Sequence, residues 1–143
     1  MILGIVGSES AKFTPETEAI AKRLIRSYIS IHEADTICSG ECHLGGIDIW
    51  AKEAAQELNL KYIGYPPAKL VWNGGYKQRN IQIAKKSDVV ICITLRQLPE
   101  SYNGIRFDYC YHCRTDKHVK SGGCWTVKFA KSLGKTTDII VIP

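Results

Sequence analysis

No apolar run in this 143-residue chain approaches the roughly 20 residues that a membrane-spanning helix needs. The N-terminus, Met1-Ile2-Leu3-Gly4-Ile5-Val6-Gly7, carries no basic leader and is too short for a signal peptide. Both absences point to a cytoplasmic protein. There is no internal repeat, which sets repeat architectures aside. There is also no stripe of one charge. The net charge is +5, but basic residues gather only in pairs such as Lys22-Arg23 and Lys85-Lys86. A nucleic-acid interface resting on charge would need clustering on one face, so small anionic ligands suit this balance equally well. Apolar content of 45% and charged content of 23% are ordinary for a soluble globular chain. The length is that of a single domain, residues 1–143, able to bury a core. What the chain does not lack is cysteine. It has six, and without an export signal to imply disulfides, closely spaced Cys and His read as metal ligands or redox groups.

Strand-like and helix-like segments alternate. Ile2 to Val6 is a short apolar strand ending in Gly7-Ser8. Thr14-Pro15-Glu16 opens a helix, with Thr as N-cap, Pro at the first helical position and an acid in the first turn; it runs to about Ser30. Asp35 to Cys38 is a second strand. Ile47, Trp50, Ala51, Ala54, Ala55 and Leu58 recur at helical spacing and predict a helix with one apolar face. Lys61 to Tyr65 is a third strand, stopped by Pro66-Pro67, and a third helix covers roughly 76–86. Asp88 to Thr94 (DVVICIT) is the strongest strand, continuous enough to be a central parallel strand covered on both faces. Residues 96–121 form a polar insert rich in Tyr, Cys and His. Trp125 to Leu133 is the last helix and Ile139 to Ile142 the last strand. The expected fold is α/β: a doubly wound, Rossmann-like parallel sheet of about five strands with helices on both faces. Ligands bind such sheets beyond the carboxyl ends of the strands. The loops there are 7–13, 39–46, 66–75 and 95–124.

Two of those loops carry glycines before a helix. In Ser39-Gly40-Glu41-Cys42-His43-Leu44-Gly45-Gly46-Ile47-Asp48, the glycines let main chain approach a ligand, and the helix offers free N–H groups and a positive dipole end. Asp48 would accept from a ribose hydroxyl, or simply cap the helix. Ser121-Gly122-Gly123-Cys124-Trp125-Thr126 repeats the arrangement at the last helix, where Thr126 would donate to a phosphate. Ser8, after strand one, lies where the polar groups of a ligand would arrive. The candidate ligand-binding set is therefore Ser8, Gly40, Gly45, Gly46, Asp48, Gly122, Gly123 and Thr126.

Arg79-Asn80, then Ser87-Asp88-Val89-Val90-Ile91, then Ser121 to Thr126, in that order, resembles the signature of the SLOG superfamily, which contains the LOG phosphoribohydrolases and the DprA-type DNA-processing proteins. LOG proteins show an arginine-lysine pair in a helix, an SDAFI-type strand and PGGxGTxxE. The resemblance implies a nucleotide- or phosphosugar-binding Rossmann-type domain, a catalytic role for Arg79 and a homodimer. The departures are specific. Ser121 stands for Pro, Trp125 for the third Gly, and Lys128 and Phe129 for the terminal acids, while Asn80 replaces the lysine. The family's hydrolytic glutamate is absent, so nucleotide binding carries over and hydrolase activity does not. Trp125 also puts an indole where a phosphate would touch main chain. Glu9, Glu41 and Asp48 remain as carboxylates on other loops.

The insert is the second departure. Cys110-Tyr111-His112-Cys113, then His118, then Cys124 gives C-x2-C-x4-H-x5-C, one residue longer than a zinc knuckle. Three thiols and an imidazole form the tetrahedral S/N set that Zn²⁺ favours, and zinc would order a long polar loop that lacks its own core. The alternative is solvent-facing thiols on a flexible loop. His112 competes with His118 as the nitrogen ligand, and Cys38, Cys42 or His43 could enter the set. Cys92 reads as a small core residue. The function expected is binding of a nucleotide or phosphorylated sugar beside a zinc-stabilised insert, with glycosidic-bond cleavage or transfer as the enzymatic version. The alternative is a nucleic-acid-binding module using the knuckle-like insert and the basic surface.

Overall fold

The computed structural model describes residues 1–143. Five strands, β1 (Ile2–Gly7), β2 (Thr36–Ser39), β3 (Lys61–Gly64), β4 (Val89–Leu95) and β5 (Thr136–Ile142), form one sheet in the order β3-β2-β1-β4-β5. Every pairing is parallel, so the expected doubly wound α/β sheet is present. The helices are α1 (Pro15–Ile31), α2 (Ile47–Glu57), α3 (Lys77–Lys86) and α4 (Gly122–Ser132). No helix is long and apolar enough to cross a membrane.

The two faces follow from the strand period. All seven residues of β4 are buried. Val89, Ile91, Ile93 and Leu95 join the core cluster under α1 and α2, while Val90 and Cys92 join the second cluster under α3 and α4. This alternation is the two-residue pleat with both faces covered. Each fully buried Ile contributes about 1.5–3 kcal/mol of burial free energy. Cys92 and Cys38 are buried in the second cluster, where Cys92 acts as a small apolar side chain.

Some boundaries differ from the sequence expectation. Thr14 caps α1 as anticipated, in a capping box with Thr17: Thr17 N–H donates to Thr14 Oγ1 at 3.2 Å, and Thr14 N–H to Thr17 Oγ1 at 2.8 Å. Helix α4 starts three residues earlier than its apolar pattern. Ser121 is its N-cap, accepting from Gly123 N–H at 3.2 Å, so the two glycines form the helix's first turn. Strand β5 also starts earlier, because Thr136-Thr137-Asp138 pair with β4 at the sheet edge, where polar side chains face solvent.

The chain runs outward from β1 to β2 and β3, then crosses back to β4 and β5. The carboxyl ends of β1 and β4 are therefore the topological switch point, where such sheets open a crevice. The insert leaves and returns there. Val119 N–H donates to Leu95 O at 2.9 Å, at the last residue of β4. Inside the insert Leu98, Cys110, His118, Val119 and Ser121 are buried, while Ile105, Phe107, Tyr109 and Tyr111 are exposed.

Candidate ligand cleft and metal centre

A cleft of about 630 Å³ opens at the switch point. Its floor is Val6, Gly7 and Ser8 from the end of β1. Ser8 is buried, and its hydroxyl shares a 3.0 Å hydrogen bond with Thr94 Oγ1 of β4. One wall is the first turn of α4: Ser121, Gly122, Gly123 and Thr126. Gly123 is required by proximity, since a Cβ there would lie 2.8 Å from Cys92 Sγ and 3.1 Å from Gly7 N. Thr126 is fully buried, lines the cleft, and its hydroxyl has no hydrogen-bond partner in the protein. A buried, unpaired hydroxyl costs about 1–3 kcal/mol. Trp125 does not line the cleft. As its helix neighbour it turns away, stacking on Phe129 at 5.4 Å and meeting Trp72 edge-on at 5.1 Å. The indole therefore stays out of the cleft.

The second glycine loop behaves differently. Ile47 N–H donates to Ser8 O at 3.1 Å, which closes the first turn of α2 against the β1 loop. Gly45 and Gly46 have φ of +74° and +86°, and a Cβ on Gly46 would lie 2.6 Å from Ser10 N. Their freedom serves a turn and a close loop–loop packing, and neither lines the cleft. Gly40 is also outside it, its carbonyl accepting from Arg79 Nη1 at 2.5 Å.

Asp48 and Arg79 do line the cleft. Their charged atoms are 3.8 Å apart, and Arg79 Nε donates to Asn80 Oδ1 at 2.8 Å. Arg79 thus pins the β2 loop onto α3 while keeping one face to the cavity. Asp48 Oδ2 accepts from Cys42 N–H at 3.2 Å. Burial pushes the Asp48 carboxyl up to about 6 despite the opposing pull of Arg79. Lys12 also faces the cavity, and burial lowers its ammonium from the usual range more than Glu9 raises it.

The metal-type cluster lies behind the α4 wall. The ligand atoms of Cys110, Cys113, His118 and Cys124 all fall within 4.8 Å of one another. A zinc tetrahedron with bonds near 2.3 Å has edges of about 3.8 Å, so the set is of the right size. His118 is buried, and its Nδ1 donates to Val119 O at 2.9 Å, which leaves Nε2 as the ligating lone pair. Cys110 is held below the usual thiol range: burial opposes this, but main-chain N–H groups of Cys113, Ser121 and His112 outweigh it. Contact with the Cys92 thiol and burial push Cys124 up, and burial followed by the Cys124 charge pushes Cys113 up to about 12. Three thiols this close cannot all ionise unless a cation neutralises them. The donor set therefore fits a metal cation.

The chain reversal that builds this cluster also sorts the two histidines. Cys110 and Thr115 exchange main-chain hydrogen bonds of 2.9 and 3.2 Å, and Arg114 takes φ +54°. His118 is brought to the thiols, while His112 goes to the cleft with Tyr111. Cys42 and His43 line the cleft and Cys38 stays in the core, so none of the three joins the cluster.

This molecule shares its fold with a molybdenum-cofactor carrier. Two solved structures of the Moco carrier protein from Chlamydomonas reinhardtii superpose with a TM-score of 0.61. Their identities are 19% and 18%, covering 99% of this chain and 77% and 78% of theirs. Likeness at that identity speaks for the Rossmann-like α/β architecture. No family model matches the sequence, and no match is found among curated proteins.

Of the residues singled out in the sequence, the cleft brings together Ser8, Asp48, Arg79, Gly122, Gly123 and Thr126. Sequence reasoning did not assign Lys12, Tyr76, His112 and Lys120 to it. The signal available for His112 was its position between Cys110 and Cys113 at the carboxyl edge of the sheet. Trp72, on the loop after β3, also lines the cleft.

Proposed function

We propose that the cleft binds a nucleotide or another phosphorylated heterocycle, in a SLOG-type domain whose insert is held by zinc. The observation that carries this reading is the buried, unpartnered hydroxyl of Thr126 beside Gly122-Gly123 at the start of α4. A phosphate oxygen there would accept from the hydroxyl and from Gly122 N–H, since Ser121 already accepts from the next N–H of the turn. Lys12 and Lys120 supply nearby positive charge, and Trp72, Tyr76 and Tyr111 on the rim supply aromatic faces for a ring. Asp48 and Arg79 are the acid and cation that cleavage of a glycosidic bond would use, and release of free base from a nucleoside monophosphate is the assay for it. In the insert, the Cys3His donor set supports zinc over harder cations such as Mg²⁺ or Ca²⁺.

The test is a thermal-shift and calorimetry panel of inorganic phosphate, nucleoside mono- and diphosphates, and the molybdenum cofactor named for the fold neighbours. A binding probe at 100 times its Kd stabilises the fold by about 2.7 kcal/mol. Absence of any response across the panel at millimolar concentration sinks the reading. Salt-sensitive binding of single strands in that case would move the function to nucleic acid, with the exposed Phe107, Tyr109 and Tyr111 as its stacking surface.

A further inference from the structure

The metal cluster and the cleft are built from the same stretch of chain. Tyr111 and His112, the two residues between Cys110 and Cys113, line the cleft. So do Lys120, Ser121, Gly122 and Gly123, which lie between His118 and Cys124. Thr126 follows two residues after the last ligand. Each span between ligands, apart from the exposed turn Arg114–Lys117, thus carries cleft wall on its outer side and thiol or imidazole on its inner side.

Leu98 and Val119 anchor the insert in the core at its two ends, and Val119 N–H donates to Leu95 O. Between those anchors Ile105, Phe107, Tyr109 and Tyr111 are exposed. The cleft-facing stretch is tethered by single hydrogen bonds: Lys120 N–H to Phe107 O at 3.0 Å, Lys12 Nζ to Lys120 O at 3.5 Å, and Lys128 Nζ to His112 O. Lys120 itself is positioned by its own surroundings, its Nζ 5.0 Å from the Phe107 ring centre and 5.3 Å from that of Tyr111. A segment with few buried apolar contacts opens at low free-energy cost. Joining three thiols and an imidazole through one cation removes that freedom.

We propose that metal occupancy at Cys110, Cys113, His118 and Cys124 sets the affinity of the cleft, with Tyr111, His112 and Lys120 as ligand-contacting residues delivered by the metal centre. This rests on the reading that the cleft binds a phosphorylated ligand. Without metal the α4 turn and the β1 floor persist, because Gly123 packs on Cys92 and Gly7, but the insert's wall is loose and a ligand must order it. With metal that ordering is complete before the ligand arrives, which raises affinity. Linkage makes the effect reciprocal: a bound ligand tightens metal binding by the same factor.

The experiment uses the full chain, with zinc and AMP as probes. Protein stripped by a chelator is titrated with zinc while amide exchange is followed at 107–123 and, as a control, in β1 and β4. AMP affinity is then measured by calorimetry with and without zinc. One equivalent of zinc should slow exchange in the insert, leave the central strands unchanged, and raise AMP affinity by about tenfold or more, the range that ordering a few side chains supplies. Tyr111→Ala should lose a similar factor with its zinc stoichiometry intact. Cys113→Ser should bind AMP like the stripped protein, and Cys113→His, which restores a four-ligand set, should recover the affinity. AMP affinity equal within about twofold in loaded and stripped protein, where a tenfold change is 1.4 kcal/mol, overturns the linkage and leaves the cleft reading standing. Zinc protection of the insert without AMP binding to either form overturns both, and the intact metal response then places the fault in the cleft reading.

Discussion

Replacing Thr126 by Val separates a ligand-seeking hydroxyl from a structural one. The two side chains have the same shape, so the substitution exchanges one hydroxyl for one methyl. In the protein as it stands, that hydroxyl is fully buried and unpartnered. Its desolvation costs about 1–3 kcal/mol with no bond in return, and valine recovers part of this. The expected gain is about 1 kcal/mol, or roughly 4 °C in Tm for a chain of this size. Against a phosphate, the same hydroxyl makes a charge-assisted hydrogen bond worth about 1.5–3 kcal/mol, so affinity should fall by about 10- to 150-fold. Stability and binding thus move in opposite directions. Thr126→Ser, which keeps the hydroxyl, should retain affinity within a few-fold and lose about 1 kcal/mol of packing. Differential scanning calorimetry without ligand, and isothermal titration with the probe found in the panel, measure the two quantities. A valine variant that is less stable by 1 kcal/mol or more, yet binds normally, would refute the reasoning.

The other expectations concern metal, charge and packing. Metal analysis of protein purified without added metal should return close to one equivalent of zinc, and less than about half an equivalent would sink a tight structural site. The Asp48 carboxyl sits at about 6, against an ordinary 3.8. The folded state therefore keeps a proton that the unfolded chain has lost, and stability falls as pH rises from about 4 to 6, then levels. At 1.36 kcal/mol per unit the total is about 3 kcal/mol. Asp48→Asn should flatten that segment of the denaturation profile, and parallel profiles for variant and parent would contradict the burial argument. Gly123→Ala places a Cβ 2.8 Å from Cys92 Sγ. Overpacking of that kind costs about 1–3 kcal/mol, and an unchanged Tm would mean that α4 does not approach β1 this closely. Thr14→Ala breaks the capping box of α1 and should cost about 1 kcal/mol in chemical denaturation.

The sheet was legible where the signal is local. The run Val89 to Thr94 announces a strand buried on both faces because such a strand can hold six apolar or small residues in succession. The start of α4 was not legible. Gly122-Gly123 has low helix propensity, and only the tertiary placement of Ser121 as a cap carries the helix through them. The start of β5 was hidden for the opposite reason, since an edge strand needs no apolar side chains on its solvent face. At the site, spacing picked out the four residues whose donor atoms the fold brings together, but which histidine joins the thiols follows from the reversal at Arg114, whose left-handed conformation no pattern announces. The two glycine loops looked alike in sequence. They part company because Ser8 O accepts from the first turn of α2, whereas the first turn of α4 is capped by its own Ser121 and lines the cleft.

The hydrogen bond from Val119 N–H to Leu95 O carries a consequence for how this molecule can change over evolution. The insert departs from and rejoins the sheet at one point. Its length and contents can therefore drift without moving a strand or shifting a helix. One half of the cavity is built on β1, β4 and the start of α4, while the opposing half is carried by the insert. A related chain could swap that insert and acquire a different ligand while its sheet and its α4 turn remained as they are here.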